Sequence, residues 1–394
     1  MPKISDLGDA CCGCGACAAK CPKNCISMVA DECGFLRPAV DAVACVGCGG
    51  CDAVCPALNG RAEDAVESVM WAKSKNGDER LGSSSGGIFA LLAHDVLAAG
   101  GVVCGAAWGP GCKTVRHVVV ESEDDLDAVM RSKYTQSKIG REVYEGVRVA
   151  LRAGRRVLFA GTACQVAGMR AYLGKLAESD GFLAVDVICH GVPSPLLWEK
   201  WAEHRESRAG ASLCDVNMRS KTTGWLSYSA AYKYAAEKDG RAAADGSVFG
   251  DDWYCKAFLG NACLRSSCYA CPAKRSCGSD ITLGDFWGIQ TAHSEVDYEC
   301  GVSAVLCNTP KGVAAFEALG ASVEHGESSL DKVLPGNPSL VRSVSPYVKR
   351  DEFMRDLAVG ASIDELMTNY TFEPTFVQKV RNALGSVKRK LLNH

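Results

Sequence analysis

A cysteine spacing that occurs twice constrains this chain more than any other feature. Cys11, Cys14, Cys17 and Cys21 stand two, two and three residues apart, and Pro22 follows; Cys45, Cys48, Cys51, Cys55 and Pro56 repeat the pattern. Three thiols at this spacing wrap one cubane of iron and sulfide, and the fourth reaches across to a second cubane. The expected sets are therefore Cys11, Cys14, Cys17 and Cys55 for one 4Fe-4S cluster, and Cys45, Cys48, Cys51 and Cys21 for the other. Gly13, Gly15, Gly47 and Gly49 permit tight turns that bring backbone N–H groups towards sulfur. The proline after each fourth cysteine stops a helix from continuing into the cluster. Zinc is the competing metal, but it is usually held by two separated C-x-x-C pairs. Cys12 and Cys25 fall outside the pattern and are read as spare thiols.

The chain has 394 residues, 47% of them hydrophobic, which is enough for two or three domains. A net charge of -3 argues against nucleic acid or a membrane surface as partner. Twenty-three cysteines invite comparison with a secreted disulfide scaffold. The odd count, the length and the C-x-x-C bunching fit that class poorly. The N-terminus lacks the apolar core of a secretory signal. No run approaches 18 apolar residues, so no membrane span is expected. The reading is a cytoplasmic protein with thiols kept reduced or bound to metal.

After a cysteine-dense segment at 1–60, a polar stretch at 61–80 reads as a linker. Alternating helical and strand-like patterns then begin. Ile88, Phe89, Leu91, Leu92, Val96 and Leu97 have helical spacing, closed by Gly100. Short apolar runs at 102–107, 115–120, 157–160 and 183–188 read as strands, separated by helices at 141–153, 167–176 and 195–208. Such alternation predicts a mostly parallel sheet, with 226–234 as an antiparallel addition. The fold class expected is α+β/α/β. It comprises a small two-cluster ferredoxin-like domain (1–60), a larger mixed α/β flavin-binding domain (81–345) and a helical C-terminal segment (346–394). Lys379, Arg381, Lys388, Arg389 and Lys390 form a basic face in the last segment.

Several motifs follow in order: Ser84-Ser85-Gly86-Gly87, Ser132-Lys133-Tyr134, Gly161-Thr162-Ala163-Cys164-Gln165, Cys189-His190-Gly191-Val192-Pro193-Ser194, Ser267-Cys268-Tyr269-Ala270-Cys271, and 280–288 around Asp285, Phe286 and Trp287. This ordered set resembles the coenzyme F-420 hydrogenase/dehydrogenase beta-subunit family over about residues 1–350. The resemblance implies an FAD-binding domain that passes electrons between iron–sulfur clusters and an organic substrate or carrier. Cys164 and Cys189 each follow a predicted buried strand, at the sheet edge where ligands bind. With the pair Cys268 and Cys271 they make a third four-thiolate set. Family members are similar in having a cluster near the flavin, so a third 4Fe-4S cluster is expected here. Cys263 and Cys277 compete as ligands. Buried inert thiols are the alternative for Cys164 and Cys189. Ala163 stands where the family usually has proline, which bears on the geometry of the Cys164 turn.

A run of small residues opening a helix is a ready anion site, so Ser84, Ser85, Gly86 and Gly87 are read as the pyrophosphate cradle of FAD. The same run also serves as an ordinary helix cap. Lys133 is assigned to charge neutralisation of the phosphates or of reduced flavin. Thr162 and Gln165 are assigned to the isoalloxazine edge. His190 is assigned to proton delivery, with a structural role as its alternative; His117 is read as structural. No dinucleotide fingerprint at a strand–helix junction points to a nicotinamide domain. The expected activity is flavin-dependent iron–sulfur oxidoreduction with ferredoxin or another redox protein as partner. An electron-transfer subunit without its own substrate is the rival, and a zinc-stabilised binding module the third class.

Overall fold

The computed structural model describes residues 1–235 and 243–372. The expected basic face at 379–390 lies outside the described residues.

The cysteine-rich N-terminal segment is built on a short hairpin and two single-turn helices. β1 (Ile26–Ala30) and β2 (Leu36–Val40) pair antiparallel, with Ile26 opposite Val40. Asp31 closes the hairpin by accepting the N–H groups of Cys33 and Phe35. α1 (Ala16–Lys20) carries Cys17 and α2 (Gly50–Ala53) carries Cys51. Each is entered from a glycine in the left-handed region, Gly15 at φ +85° and Gly49 at φ +70°. A side chain there would be strained, which explains why the repeat places glycine after the second cysteine both times.

The larger part is a nine-stranded sheet. In chain order its strands are β3 (Ser68–Ser74), β4 (Val102–Trp108), β5 (Val115–Val120), β6 (Ser137–Lys138), β7 (Val157–Thr162) and β8 (Phe182–Val187). After three strands of a second sheet come β12 (Ile281–Asp285), β13 (Ser303–Cys307) and β14 (Val323–Glu327). Their spatial order is β14-β3-β13-β12-β8-β7-β4-β5-β6. The inner strands β12, β8, β7 and β4 run parallel. The pairs β12–β13, β13–β3, β3–β14 and β4–β5 are antiparallel. The parallel expectation therefore holds for the middle of the sheet, where continuous apolar runs are buried on both faces.

Helices cover both faces. After α3 (Gly77–Gly82), α4 (Ile88–Ala98) packs Leu92 and Val96 against Val103, Leu158 and Val185. On the opposite face α5 (Arg141–Arg152) and α6 (Ala163–Leu173) bury Tyr144, Val147, Val166 and Met169 against Cys104, Phe159 and Ala184. α7 (Pro195–Ala209) and α8 (Trp253–Leu259) pack on a separate antiparallel sheet of β9 (Leu213–Ser220), β10 (Ser229–Tyr234) and β11 (Ala244–Val248). The antiparallel addition predicted at 226–234 is thus a sheet of its own. The helices Arg350–Ala358 and Ile363–Asn369 close that second core through Phe353 and Leu366.

One boundary needs correcting. Residues 61–80, expected as a linker, contain β3, which lies between β13 and β14. Asp64 in the same stretch accepts the N–H groups of Cys277 and Gly278, both at 2.9 Å. The polar composition at 61–67 hid this docking, because its partners lie more than 200 residues further along the chain.

The N-terminal segment is fastened to the large sheet. Tyr144 Oη on α5 donates to Cys14 O at 2.9 Å, Arg141 Nη1 to Ala19 O at 2.9 Å, and Ser194 Oγ to Cys33 O at 2.6 Å. Gly168 of α6 faces Cys14 so closely that a Cβ there would stand 2.9 Å from the sulfur. The fold thereby sets the first cysteine group against the carboxyl edge of the parallel strands.

Candidate electron-transfer site

Three cavities are lined by sulfur. Cys11, Cys14, Cys17 and Cys55 share the first, with Cys12 beside them. Cys45, Cys48, Cys51 and Cys21 share the second, with Cys25. The fourth cysteine of each repeat has crossed to the opposite group, as the spacing predicts. Burial, with Cys11 and Cys55 as neighbours, pushes the Cys17 thiol up to about 12. Cys48 is the exposed member of the eight; the others are buried or half-buried.

Cys164, Cys189, Cys268 and Cys271 line the third cavity together with Cys277 and His190. Local structure explains the convergence. β7 and β8 are adjacent and parallel, so their carboxyl ends meet, delivering Cys164 and Cys189 to one edge. Cys268 sits on a single 3-10 turn, Ser266–Ala270, and its sulfur accepts the Val192 N–H at 3.3 Å. Lys274 Nζ holds the Cys189 carbonyl at 2.8 Å. Ala163 occupies the first helical position of α6, a place that tolerates proline equally well, so the substitution leaves the turn intact. Of the two competing cysteines, Cys277 lines this cavity, whereas Cys263 is buried in the core between the second sheet and α8.

The thiols read as spare have defined places. Cys25 lies 3.3 Å from Cys21, sulfur to sulfur. Cys12 interacts through its thiol with both Cys14 and Cys164. It therefore stands between the first and third cavities, a contact between segments too distant for spacing to reveal.

Among the described residues no three His, Cys, Asp or Glu side chains converge to hold a single metal ion. A tetrahedral zinc with ligands at about 2.3 Å would draw its thiolates together. A cubane holds them farther apart, at its corners. Four thiols spread round a cavity suit the larger group, and the many cysteines fit iron–sulfur chemistry.

The residues assigned to flavin fall into two groups. Ser84–Gly87 and 131–134 are brought together: the Ser132 N–H donates to Ser84 Oγ at 2.9 Å. Within the small-residue turn, Ser85 Oγ donates to Val302 O and Gly86 N–H to Ser303 Oγ, both at 3.0 Å. Gly87, at φ +88°, is the N-cap of α4. Three buried atoms around this turn have no partner: Ser83 Oγ, Arg80 Nε and Arg219 Nε. These orphaned donors fit an anionic group such as a pyrophosphate. Lys133 turns back on its own loop, donating to the carbonyls of Ala128, Met130 and Arg131. Burial brings its ammonium down to about 7. Thr162 and Gln165 form the second group, and they close the β7–α6 turn. Gln165 Oε1 accepts from Thr162 N at 3.0 Å, and Gln165 Nε2 donates to Ser137 O at 3.2 Å.

Sequence reasoning missed Arg219 and Lys221. Arg219 donates to Ser84 O at 3.2 Å and to Asp285 Oδ1 at 2.7 Å, with its guanidinium 3.7 Å from the Tyr228 ring centre. Lys221 Nζ donates to Ser85 O at 2.6 Å. Asp285 also accepts from Trp225, which stacks on Trp287, so the expected wall residues form a tight aromatic and ionic cluster. The available signal was a charge inside an otherwise strand-like run.

His190 lines the third cavity, but its Nε2 is held by Asn261 Oδ1 at 2.6 Å, and burial lowers its proton affinity. His117 has a structural setting. Nε2–H donates to Ala160 O at 3.0 Å, Nδ1 accepts from Ser137 Oγ at 2.7 Å, and burial pulls the ring down to about 4. Unfolded histidine titrates near 6.5, so between these values the unfolded chain binds the extra proton. Stability from this site is full above pH 6.5 and is lost as pH falls towards 4. From pH 8 to pH 5 the wild type should lose about 2 kcal/mol more than His117→Gln, measured by urea unfolding.

Residues 154–331 match a family model that describes the C terminus of the coenzyme F420 hydrogenase/dehydrogenase beta subunit. This segment belongs to that family. The beta-subunit segment runs from β7 to β14 and contains Cys164, Cys189, Cys268 and Cys271. The paired N-terminal repeats, Ser84–Gly87 and Lys133 lie before it. Among solved structures, a chain of the F420-reducing [NiFe] hydrogenase complex from Methanosarcina barkeri is similar at 18% identity and a TM-score of 0.43. The likeness covers 78% of this chain and 92% of that one. No curated protein matches. Among the described residues no helix is long and apolar enough to cross a membrane.

Proposed function

We propose that this protein is an iron–sulfur flavoprotein oxidoreductase that exchanges electrons between a redox protein, such as a ferredoxin, and an organic substrate or carrier in the cytoplasm. The observation that carries the reading is the row of sulfur-lined cavities. The second reaches the surface at Cys48, the first lies inward, and Cys12 links the first to Cys164 of the third. In this reading Cys11, Cys14, Cys17 and Cys55 hold one 4Fe-4S cluster. Cys45, Cys48, Cys51 and Cys21 hold the second, and Cys164, Cys189, Cys268 and Cys271 the third. Clusters pass single electrons, whereas a flavin exchanges either one or two, as reduction of an organic molecule requires.

The chain's own residues supply position and charge. The turn Ser84–Gly87 with Arg80 and Arg219 would face the FAD phosphates, and Lys221 fixes the turn from behind. Rings connect the two regions: His190 stands edge-on to Phe258, which stacks on Tyr134 beside the Ser132–Ser84 contact. His190, itself in the cavity wall, is held by Asn261, and Thr162 and Gln165 hold the start of α6, so their work is positioning.

A relay subunit without its own substrate is the second reading. It is favoured by the internal bonds of Ser84, Ser85 and Gly86 and by the bond of His190 Nε2 to Asn261. Anaerobic reconstitution, iron and acid-labile sulfide analysis, and flavin extraction separate the two. Bound flavin that bleaches with reduced ferredoxin or a viologen dye and is reoxidised by a candidate carrier supports the enzyme. Full iron content without flavin selects the relay, and zinc without sulfide rejects both.

A further inference from the structure

Four cationic side chains are buried among the described residues: Lys73, Arg170, Arg219 and Arg265. Three of them meet carboxylates. Lys73 reaches Glu324 at 3.2 Å, Arg170 reaches Glu178 at 2.6 Å, and Arg219 reaches Asp285 at 2.7 Å. Arg265, at 1% exposure the most buried of the four, has neutral partners. Its Nε donates to Cys11 O at 2.6 Å, Nη1 to Gln136 Oε1 at 3.2 Å and Nη2 to Leu36 O at 2.8 Å. Its guanidinium lies 5.4 Å from the Phe35 ring centre. Neutral oxygens satisfy the donors but leave a whole positive charge without a counter-charge. Guanidinium keeps its proton under all ordinary conditions, so the charge cannot be relieved by deprotonation. A buried cation without an anion is strongly unfavourable.

Its place in the fold suggests where the anion belongs. Arg265 holds the Cys11 carbonyl at the first cavity, and a Cβ on Gly13 would lie 2.9 Å from its Nη1. Its backbone is bonded into the wall of the third cavity: its carbonyl accepts the Cys268 N–H at 2.9 Å and its own N–H donates to Val192 O at 2.9 Å. Its hydrogen-bond partners include no residue of the second cavity. A cubane with four thiolates is an anion and becomes more negative by one unit on reduction. Net charge and hydrogen bonds around such a centre set its potential. An adjacent fixed cation stabilises the reduced form more than the oxidised form.

We propose that Arg265 is the internal counter-charge shared by the first and third thiolate sets, raising the reduction potentials of the centres they hold relative to the second. The proposal rests on the reading that these sets hold clusters. Its role is electrostatic positioning of charge, not contact with substrate.

The test is an anaerobic redox titration followed by paramagnetic resonance on the reconstituted full chain, comparing wild type, Arg265→Gln and Arg265→Lys. In Arg265→Gln the reduced-to-oxidised ratio of two centres at a fixed applied potential should fall at least tenfold, about 59 mV for one electron. The centre of the second thiolate set, Cys45, Cys48, Cys51 and Cys21, should stay in place as an internal reference. Arg265→Lys, which keeps the charge, should stay near wild type. Unchanged potentials in Arg265→Gln, or equal shifts in all three centres, would overturn the proposal. If Arg265→Gln fails to retain iron, Arg265→Lys decides. Full iron and near-native potentials in the lysine variant support a role for charge; iron loss equal to that in Arg265→Gln reduces Arg265 to a structural fork. A wild-type chain that assembles no iron and sulfide defeats the cluster reading itself, a result distinct from unchanged potentials in an iron-loaded protein.

Discussion

Cys189→Ser should lower the iron content of the anaerobically reconstituted protein by about four atoms per chain from about twelve, the load of three cubanes. The replacement is close in size, and the loop that carries it is held independently. Lys274 grips the residue's own carbonyl, and the Val192 N–H is fixed on Cys268. The fold should therefore survive while a four-thiolate set drops to three. The N-terminal centres, whose cysteines line other cavities, should keep their reduced-state resonance signals. Cys277 offers one way round this outcome, because it lines the same cavity. Iron that stays near twelve in Cys189→Ser but falls in Cys189→Ser/Cys277→Ser would make Cys277 a reserve ligand. Iron that stays near twelve in both would remove Cys189 from the ligand set.

Arg219→Leu should destabilise the protein by about 3–5 kcal/mol, the range found when one partner of a buried ion pair is removed. The Arg219 side chain is 2% exposed and Asp285 17%, so the abandoned carboxylate gains little from water. It would keep the Trp225 indole N–H as a donor. The guanidinium also holds the Ser84 carbonyl and lies against Tyr228, so the small-residue turn before α4 should loosen. Urea unfolding measures the stability loss, and the flavin content of the reconstituted variant measures the effect on the turn. Asp285→Asn provides the reciprocal single change. A double-mutant cycle over the two sites should show strong coupling, since each variant removes the same pair. A loss below about 1 kcal/mol in Arg219→Leu would place the pair among ordinary surface contacts.

The candidate site was legible where ligand chemistry is local. Three cysteines two residues apart are already on one loop, so the first three members of each N-terminal set follow from spacing alone. The crossing of Cys21 and Cys55 follows from the repeat, because a fourth cysteine before a proline has turned away from its own loop. Cys164 and Cys189 were legible through strand logic, since apolar runs ending in a turn place the next residue at a sheet edge. The choice between Cys263 and Cys277 was not. Both flank the Cys268–Cys271 pair, and Asp64, more than 200 residues earlier, draws the Cys277 turn to the cavity. The linker reading of 61–80 failed for the same reason: β3 is defined by partners at 303–307 and 323–327.

From the sequence alone came the sulfur chemistry, the pairing of the two N-terminal sets, the α/β character of the larger part and the residues that gather at its strand ends. These depend on neighbours a few positions apart, where backbone geometry dictates direction. Tertiary structure alone decided that Cys12 meets Cys164, that Lys133 caps its own loop, and that Arg265 is buried without a carboxylate. Burial and charge pairing are properties of the assembled whole: whether a cation is neutralised, solvated or stranded depends on side chains that only folding brings beside it.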